Sequence, residues 1–449
     1  MIVKKLSLKK NMVWNLAGSI IYSSTQWLLL IVIAKLGNPE MVGQYVLGLA
    51  ITAPIVLFTD MNLRLALITD MKSSFTFGNY LGTRIVMVGF SFLLFITVVL
   101  IIGYDYYTAI VIILIGIAKL HESVSDIFHG QLQKCERMDL PTISDIMKGI
   151  GTVISFSVVL YITGSLVLAI IGQIIVWALI LLFFDWPVTR KFTSIDVSFH
   201  VRIIKRLVTL SIPLGVMALL TSVNVNVPNY LVEYFLGEEE LGYFAALLYI
   251  LYAGDRMVNS IRQPVAPRLA MLFEKKDIRG YSSLLVIFIA IGLFIGSLGV
   301  LVAYLLGDFL LAIIYTPAYA AYSGLFVVMM ISGVILYSAA FLEIGVIATR
   351  HFKIQPYLAA LWVMVSVIGG FLLIPTYGVY GAVYGVLLSS LAKFLSLLVV
   401  WLVLVKKSKA TTKSSMYKRG SEIRFSKVVQ YIKREGSPTY YMGVKENEV

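Results

Sequence analysis

Charged side chains lie inside long apolar stretches of this sequence. Basic and acidic types are balanced there, so their positions and not their net charge predict what they do. Lys119, Arg256 and Lys393 are predicted near the middle of such stretches, where an ionised group is costly and usually marks a binding site or ion pathway. Because both halves of the chain contribute, the cations predict an internal cavity that binds an anion such as a phosphate. The alternative is a set of buried ion pairs that only fix helix packing, and such pairs contribute little because their desolvation is expensive.

Carboxylates in the same stretches are predicted either to neutralise these cations or to carry a coupling ion, H⁺ or Na⁺: Glu122, Asp126, Asp255 and Glu343. Glu122 and Asp126 follow Lys119 by three and seven residues, which places them on one helical face. Glu343 is predicted at a depth where it could pair with Lys393. The cavity and its ion coupling therefore depend on which of these charges are already paired.

Other charges in the apolar stretches are predicted to be structural. Two pairs are spaced so that each could bond along its own helix: Asp60 with Arg64, and Asp145 with Lys148. Arg84 and Arg262 lie within a turn or two of the predicted membrane rim, so their guanidinium groups are expected to reach the interface.

The sequence contains no catalytic constellation and predicts no cofactor. There is no glycine-rich phosphate loop of the Walker type, and the four histidines have no metal-ligand spacing. Cys135 is the single cysteine, so no internal disulfide or cysteine-based metal site is predicted. A membrane enzyme such as a polysaccharide polymerase would need a large outward loop, and the sequence has none. We therefore expect a transporter and not an enzyme.

The elements that carry these charges are predicted to be about twelve transmembrane helices. The chain is 59% apolar and only 14% charged, whereas soluble domains carry roughly a quarter charged residues. Apolar stretches of roughly twenty residues, the length that spans a bilayer, are predicted at Met12–Ala34, Val42–Ile68, Tyr80–Gly103, Thr108–Phe128, Pro141–Ile162, Ser165–Phe184, Leu207–Leu236, Leu241–Arg262, Leu284–Leu306, Tyr322–Ala348, Ile354–Ile374 and Val379–Val405. A short interfacial helix is expected between Gly307 and Ala321.

Charge placement in the connections predicts the topology. Most of the 37 basic residues fall in alternate connections beginning with the N-terminus, the pattern of cytoplasmic loops. The remaining connections hold Lys35 against several carboxylates. Both termini are therefore predicted to be cytoplasmic, and the net charge of +13 is a topology signal and not a nucleic-acid footprint.

The chain also repeats itself. Leu36 and Gly37 precede an acidic turn, a second glycine and a span, and Leu236 and Gly237 do the same 200 residues later. Each unit contains an even number of spans, which predicts a parallel repeat of two six-helix bundles around a central cavity; the alternative is chance similarity between glycine-rich helices. The predicted divisions are an N-terminal bundle (1–184), a cytoplasmic linker (185–206), a C-terminal bundle (207–405) and a basic cytoplasmic tail (406–449).

Two segments have unusual patterns. The seventh span contains Pro213, Pro228 and three asparagines, which predicts either a broken helix lining a cavity or a bent helix whose amides bond to neighbours. In the tail, residues Phe425, Val428, Val429 and Ile432 have helical spacing among basic residues. This pattern fits a basic amphipathic helix on the anionic membrane surface, and a disordered tail fits equally well.

Several segments resemble one family of membrane proteins. The stretch "NMVWNLAGSIIYSSTQWLLLIVIAKLGNPEMVGQYVLGLAI", then "LRLALITD", "LVTLSIPLGVMALL" and "RQPVAPRLAML", resemble bacterial polysaccharide or O-antigen flippases of the Wzx type. These belong to the superfamily that also includes multidrug extruders and lipid II flippases. The resemblance covers nearly the whole chain up to about Val405.

The resemblance implies a substrate and a mechanism. The substrate would be an oligosaccharide repeat unit on a polyprenyl pyrophosphate carrier, moved from the inner to the outer leaflet of the bacterial cytoplasmic membrane by alternating access. Lys119, Arg256 and Lys393 would hold the pyrophosphate, and Arg64 and Arg262 would guide it at the mouth. The residues expected to contact sugars are Gln26, Trp27, Asn224 and Tyr230.

Further partners and one competing function follow from the same resemblance. Membrane lipids, a polysaccharide polymerase and chain-length machinery are the expected partners. The competing function is an ion-coupled multidrug extruder of the same superfamily. Cationic drugs would call for deep unpaired carboxylates, whereas this sequence has comparably deep cations.

Overall fold

The computed structural model describes residues 6–70, 74–349 and 354–435, with the backbone alone described for residues 8, 9, 263, 264, 267 and 409–435. These residues form fifteen α-helices: α1 (Leu8–Leu36), α2 (Pro39–Asp60), α3 (Leu63–Thr69), α4 (Phe77–Ile102), α5 (Tyr106–Lys134), α6 (Asp139–Thr163), α7 (Leu166–Ile180), α8 (Trp186–Arg190), α9 (Val201–Leu236), α10 (Glu238–Glu274), α11 (Ile278–Ile314), α12 (Pro317–Ala320), α13 (Ser323–Ala348), α14 (Gln355–Tyr377) and α15 (Val379–Glu435). A π-helical turn, Leu181–Asp185, joins α7 to α8.

The protein is an all-α polytopic membrane protein, as predicted, with twelve helical crossings in two repeats. Eleven segments among the described residues are long and apolar enough to span a membrane. The remaining crossing is α10, which occupies the position of the predicted eighth span. It begins with Glu238–Glu240 and carries Asp255, Arg256 and Arg262 further along, and these charges lower its hydropathy.

Local sequence determines where many of the helices begin. Asn38 caps α2 by accepting a hydrogen bond from the Met41 amide, and Pro39 follows at the first helical position. Thr76 and Asn79 form a capping box at the start of α4. These short caps allow long helices to follow one another with turns of only a few residues.

The structure corrects three details of the predicted helices. The second span is not one helix, because Met61 and Asn62 adopt left-handed φ angles of 47° and 50° between α2 and α3. In contrast, α9 stays helical through Pro213 and Pro228, so the predicted break is absent; each proline removes only one backbone hydrogen bond, and α2 and α14 pack against α9. In the connection predicted to lie outside, α11 continues to Ile314, which leaves only the four-residue α12.

The last helix extends beyond the predicted span. The backbone of α15 remains helical from Val379 to Glu435, through much of the predicted tail. The side chains of Phe425, Val428, Val429 and Ile432 lie outside those that the structure describes, so the predicted membrane-binding face stays a prediction.

Two ends of the bundle are distinguished by charge. We call the end with Glu40, Asp105 and Glu238 the acidic face, and the end with Arg137 and Arg202 the basic face. Contacts join the connections at each end. At the acidic face the Thr108 hydroxyl donates to Glu238 at 2.6 Å, and at the basic face the Ser198 amide donates to the Gly78 carbonyl at 3.1 Å.

The repeated turns meet each other at the acidic face. A Cβ added to Gly43 in α2 would lie 1.8 Å from the Glu238 carbonyl oxygen, and one added to Gly242 in α10 would lie 1.9 Å from the Pro39 carbonyl oxygen. Each glycine therefore lies against the first turn of the other helix. A reciprocal contact of this kind is what a two-fold relationship between equivalent helices produces, and it supports true internal repetition.

Candidate functional site

The two halves are joined tightly near the acidic face. One hydrophobic core contains residues of both halves, including Leu29, Val42, Leu241 and Phe244. Polar contacts reinforce it: the indole of Trp27 donates to the Tyr315 hydroxyl at 3.3 Å. We call this contact region, which joins the halves near the acidic face, the closure.

Two predicted sugar-contacting residues belong to this closure. The Tyr230 hydroxyl donates to the Ala50 carbonyl across the interface between α9 and α2, and Trp27 bonds to Tyr315. Nearby, the amide nitrogen of Gln26 is buried without a hydrogen-bond partner, and Asn224 is half-buried. The structure therefore gives Trp27 and Tyr230 a role in holding the halves together.

Away from the closure, ionised side chains at membrane depth retain partial solvent exposure. Lys119 and Glu122 are 23% and 36% exposed, and Lys393 and Glu343 are each 21% exposed. A charged group in a membrane-spanning helix faces protein or water and not lipid tails. These groups are therefore expected to face protein or water and not the lipid.

The first charged cluster in the N-terminal half surrounds Arg84. This guanidinium is fully buried, donates to Asp60 and Ser123, and reaches Asp126 at 3.4 Å. Its burial contradicts the prediction that Arg84 extends to the membrane rim. The reason is that α4 packs against α2 and α5. The carboxylates of Asp60 and Asp126 on those helices are therefore nearer to Arg84 than the membrane interface is.

Arg64 belongs to the same cluster. It pairs with Asp126 at 2.9 Å and donates to Gln133 at 2.7 Å. The predicted Asp60–Arg64 pair along one helix is wrong, because the left-handed residues Met61 and Asn62 separate them and turn the two side chains towards different partners.

A second cluster in this half neutralises Lys119. Its ammonium group lies 2.7 Å from Glu122, which confirms the pair predicted from the spacing. The Tyr22 hydroxyl also donates to Glu122, at 2.8 Å. Asp126, the other predicted partner, pairs with arginines instead. The membrane-depth cations of this half are thus each matched by a carboxylate.

The C-terminal half has a different charge balance. Glu343 accepts both Lys393, at 3.0 Å, and Arg262, at 3.4 Å. The Lys393 pair was predicted from depth and is confirmed, whereas Arg262 turns inward to Glu343 and not to the membrane rim. Lys393 also lies 4.9 Å from the centre of the Trp362 ring, a favourable cation–π distance.

Arg256 and Asp255, which precede Arg262 on α10, are not in salt bridges with any residue that the structure describes. Arg256 is exposed, and Asp255 accepts a hydrogen bond from Asn259 at 2.9 Å. Asp255 interacts electrostatically with Arg262 and Lys393. In this cluster three cations therefore face two carboxylates. Glu233, the third carboxylate in the spans of this half, lies in the last turn of α9 near the acidic face.

The structure also reveals a buried polar cluster that the sequence reading missed. Lys148 lies 2.9 Å from Asp185, and His129 lies between Asp185 at 3.4 Å and Asp145 at 3.6 Å. The predicted Asp145–Lys148 pair along α6 is wrong, because the π turn places Asp185 against Lys148. The one feature of the sequence that could have indicated this cluster is Asp185, which directly follows an apolar span.

Metal binding finds no support in the described part of the chain. No group of three histidine, cysteine, aspartate or glutamate side chains is close enough there to hold a metal ion.

Two helical repeats with ionised side chains at membrane depth are typical of multi-pass membrane transporters. The chain belongs to the polysaccharide biosynthesis protein family, whose model matches residues 8–273. A relative in Staphylococcus aureus, capsular polysaccharide biosynthesis protein CapF, is 28% identical over 390 residues, which is 86% of this chain and 97% of CapF. These findings confirm the family resemblance.

Solved structures show the same fold. The lipid II flippase MurJ in an inward closed conformation has a TM-score of 0.70 at 12% identity, covering 89% of this chain and 91% of MurJ. An inward-facing multidrug resistance transporter of the MATE family has a TM-score of 0.65 at 12% identity, covering 92% of this chain and 97% of that chain. At these identities the similarity concerns the fold alone.

Proposed function

We propose that this protein flips a polyprenyl-pyrophosphate-linked oligosaccharide from the inner to the outer leaflet of the bacterial cytoplasmic membrane, for surface polysaccharide synthesis. The observation that carries the proposal is a cluster at membrane depth in which three exposed or partly exposed cations, Arg256, Arg262 and Lys393, outnumber the neighbouring carboxylates. A pyrophosphate that is esterified at both ends is a compact dianion, and cations in a site of reduced water content bind it strongly. Membership in the polysaccharide biosynthesis family supports the same substrate class.

The basic face is the cytoplasmic face in this proposal, with both termini inside. The excess of lysine and arginine in its connections supports this orientation. The contacts of Trp27 and Tyr230 then close the outer side, so that the cavity receives substrate from the cytoplasmic leaflet. Alternating access follows if the N-terminal bundle (1–184) and the C-terminal bundle (207–405) separate at the closure while the linker (185–206) keeps them joined.

The salt bridges of the cations suggest how the pyrophosphate head group binds. Lys393 and Arg262 share Glu343 in this state, so an entering pyrophosphate replaces one carboxylate as their partner, and Arg256 is already free of an ion pair with the described residues. Lys119 is matched by Glu122 and Arg64 by Asp126. These two cations therefore have weaker support as head-group ligands than the C-terminal three.

The sugar portion extends towards the closure. Gln26 presents a buried amide nitrogen without a partner, and Trp27, Asn224 and Tyr230 supply aromatic and amide groups of the kind that bind sugars. When the closure opens, the hydrogen bonds of Trp27 and Tyr230 across the halves are released, and both side chains become available to the passing sugar.

Ion coupling is best supported at Asp255. Of the four candidate carboxylates, Glu122, Asp126 and Glu343 are in salt bridges, whereas Asp255 has only the amide of Asn259 as a described direct partner. A carboxylate without a permanent cation is the one that can bind H⁺ or Na⁺ and release it. Lipids, a polysaccharide polymerase and chain-length machinery would be the working partners.

Multidrug extrusion is the less supported function. A cavity for cationic drugs needs several carboxylates that are free of cations. In the described C-terminal cluster, by contrast, the cations outnumber the carboxylates. A drug-efflux assay in a sensitive strain separates the two functions directly.

The test uses a strain that lacks the gene and carries single variants R256Q, R262Q or K393Q. We expect each to abolish surface polysaccharide and to accumulate lipid-linked oligosaccharide in the inner leaflet, with normal amounts of protein in the membrane. The matched control is K35Q, which removes a cation at the acidic face and should leave export intact. Wild-type polysaccharide in all three variants would overturn the proposal.

A further inference from the structure

A separate cleft lies at the basic face, between α3, the start of α4 and the first turns of α9. Its volume is about 910 Å³, and the C-terminal cations of the proposed transport site are not among the described residues that line it. Its lining comprises Ala66, Thr69, Asp70, Ser74, Phe75, Tyr80, Arg202, Lys205, Arg206, Thr209 and Leu210. The proposed transport mechanism makes no use of this cleft.

One face of α9 provides the positive charge of the cleft. Arg202, Lys205 and Arg206 are spaced at i, i+3 and i+4, so they project from the same side of the helix. All three are exposed, and none forms a salt bridge with a residue that the structure describes. The N-terminus of α9 adds its own positive potential, since its cap residue offers no side-chain acceptor.

The one carboxylate in the cleft is already engaged. Asp70 accepts hydrogen bonds from the amides of Ser74, at 2.9 Å, and Phe75, at 3.1 Å, and from the Tyr80 hydroxyl at 3.3 Å. Partial burial raises the pKa of Asp70, but these hydrogen bonds outweigh it and hold the pKa below its usual range. The acid thus stabilises its own loop, and the three cations keep a surplus of positive charge.

The shape of the cleft combines this charge with apolar surface. The Arg206 guanidinium lies 5.5 Å from the centre of the Phe75 ring, which orients it. Leu210 lines the inner edge and is 63% exposed, although it lies in an apolar membrane-spanning helix. The cleft therefore has a cationic end at the basic face and an apolar end that continues towards the hydrocarbon region.

We propose that this cleft binds the phosphate head group of an anionic phospholipid, with Arg202, Lys205 and Arg206 contacting the phosphate and an acyl chain passing Leu210. The proposal rests on the proposed function only for the leaflet, which is the cytoplasmic one if the basic face is cytoplasmic. Basic clusters at this level attract anionic lipids by about 1 kcal/mol for each lysine or arginine. A bound lipid would fasten the linker between the halves to α3.

The experiment measures lipid-dependent stability of the purified full-length protein in neutral detergent. The wild type is titrated with phosphatidylglycerol, phosphatidylcholine or inorganic phosphate, and the unfolding temperature is recorded. We expect phosphatidylglycerol alone to raise it. In the variant R202Q/R206Q the apparent affinity should fall by roughly fivefold for each cation removed, while the unfolding temperature without lipid stays near that of the wild type.

A matched control keeps the test specific. R190Q/K191Q removes two exposed cations from the same connection but outside the cleft, and it should respond to phosphatidylglycerol as the wild type does. If the double variant is unstable, R202Q alone and a mass-spectrometric count of co-purified phosphatidylglycerol provide the same comparison.

Three results would overturn the proposal. The first is a wild-type response in R202Q/R206Q, and the second is an equal loss in the control, which would indicate diffuse attraction. The third is equal stabilisation by inorganic phosphate, which would replace the lipid by a free anion. None of these measurements involves transport, so failure here and failure of the proposed flippase function are distinguishable.

Discussion

Gly43 and Gly242 form a reciprocal contact at the acidic face. Each lies against the first turn of the other's helix, and a Cβ on Gly242 would also lie 3.2 Å from the Gly43 amide nitrogen. Backbone atoms on both sides leave no side chain that could rotate away. The two helices can therefore approach this closely only because both positions are glycine.

We expect G43A to weaken the closure and to favour the state that is open at the acidic face. Overpacking of this kind costs roughly 1–3 kcal/mol, enough to change a two-state population about tenfold. The measurement is the labelling rate of T108C, in a C135S background, by a membrane-impermeant maleimide added outside. G89A is the control, since nothing lies within 4 Å of a Cβ there, and faster labelling in both variants would contradict the prediction.

Single substitutions at Lys148 or Asp185 should strongly lower the stability of the folded protein. Both side chains are buried, with 3% and 0% exposure, so K148M leaves the buried Asp185 carboxylate without its lysine and with His129 as its remaining described partner. The expected loss is roughly 3–5 kcal/mol, seen as a lower unfolding temperature and less folded protein in the membrane. The double variant K148M/D185L should recover much of this loss, because both charges are removed together.

The control for this pair is R137Q. Arg137 and Asp139 form a salt bridge that is more accessible to water, and such pairs contribute only about 0–1 kcal/mol. If R137Q and K148M lose equal stability, burial is not what makes the Lys148 pair costly to break.

Substitutions of Arg84 and Arg64 should differ in their effect on protein stability, although both side chains pair with Asp126. Arg84 is fully buried, whereas Arg64 is 27% exposed. R84M is expected to lower the amount of folded protein severely, and R64M to reduce it only slightly, since water can solvate the remaining carboxylate. Size-exclusion profiles of the detergent-solubilised variants measure the difference. Equal losses in the two variants would show that the pairing, and not its burial, decides stability.

Glu343 is expected to control release of the substrate head group. It competes with an anion for Lys393 and Arg262, so E343Q leaves both cations without this partner. We predict tighter binding of inorganic pyrophosphate to the purified protein, by about tenfold for each 1.4 kcal/mol of competition removed, together with reduced polysaccharide export. D255N is the comparison, because Asp255 has no salt bridge with a described residue; unchanged pyrophosphate affinity in E343Q would contradict the competition.

Local features of the sequence determined the spans, their number and the turns between them. Hydropathy and helix caps depend on neighbours within a few residues, so the predicted eighth span appeared as α10 even though its charges weaken its hydropathy. The Lys119–Glu122 pair was predictable for the same reason, because both residues lie on adjacent turns of one helix.

The ion pairs between helices at membrane depth could be predicted only in part from the sequence. Glu343 and Lys393 were matched by predicted depth alone, and their contact at 3.0 Å confirms it. Depth did not reveal that Asp60 pairs with Arg84 or that Asp185 reaches Lys148. In both cases the backbone departs locally from the α-helix and redirects a side chain. The left-handed residues Met61 and Asn62 follow Asp60, and the π turn before α8 contains Asp185.

The sequence by itself determined that this is a membrane transporter with two related halves, because apolar length, charge alternation and repeated turns are written in order along the chain. Only the tertiary structure decided which charges remain available for a substrate. That decision depends on contacts between helices distant in sequence. These contacts pair Arg64 and Arg84 with carboxylates of neighbouring helices and leave three cations beside two carboxylates in the C-terminal cluster.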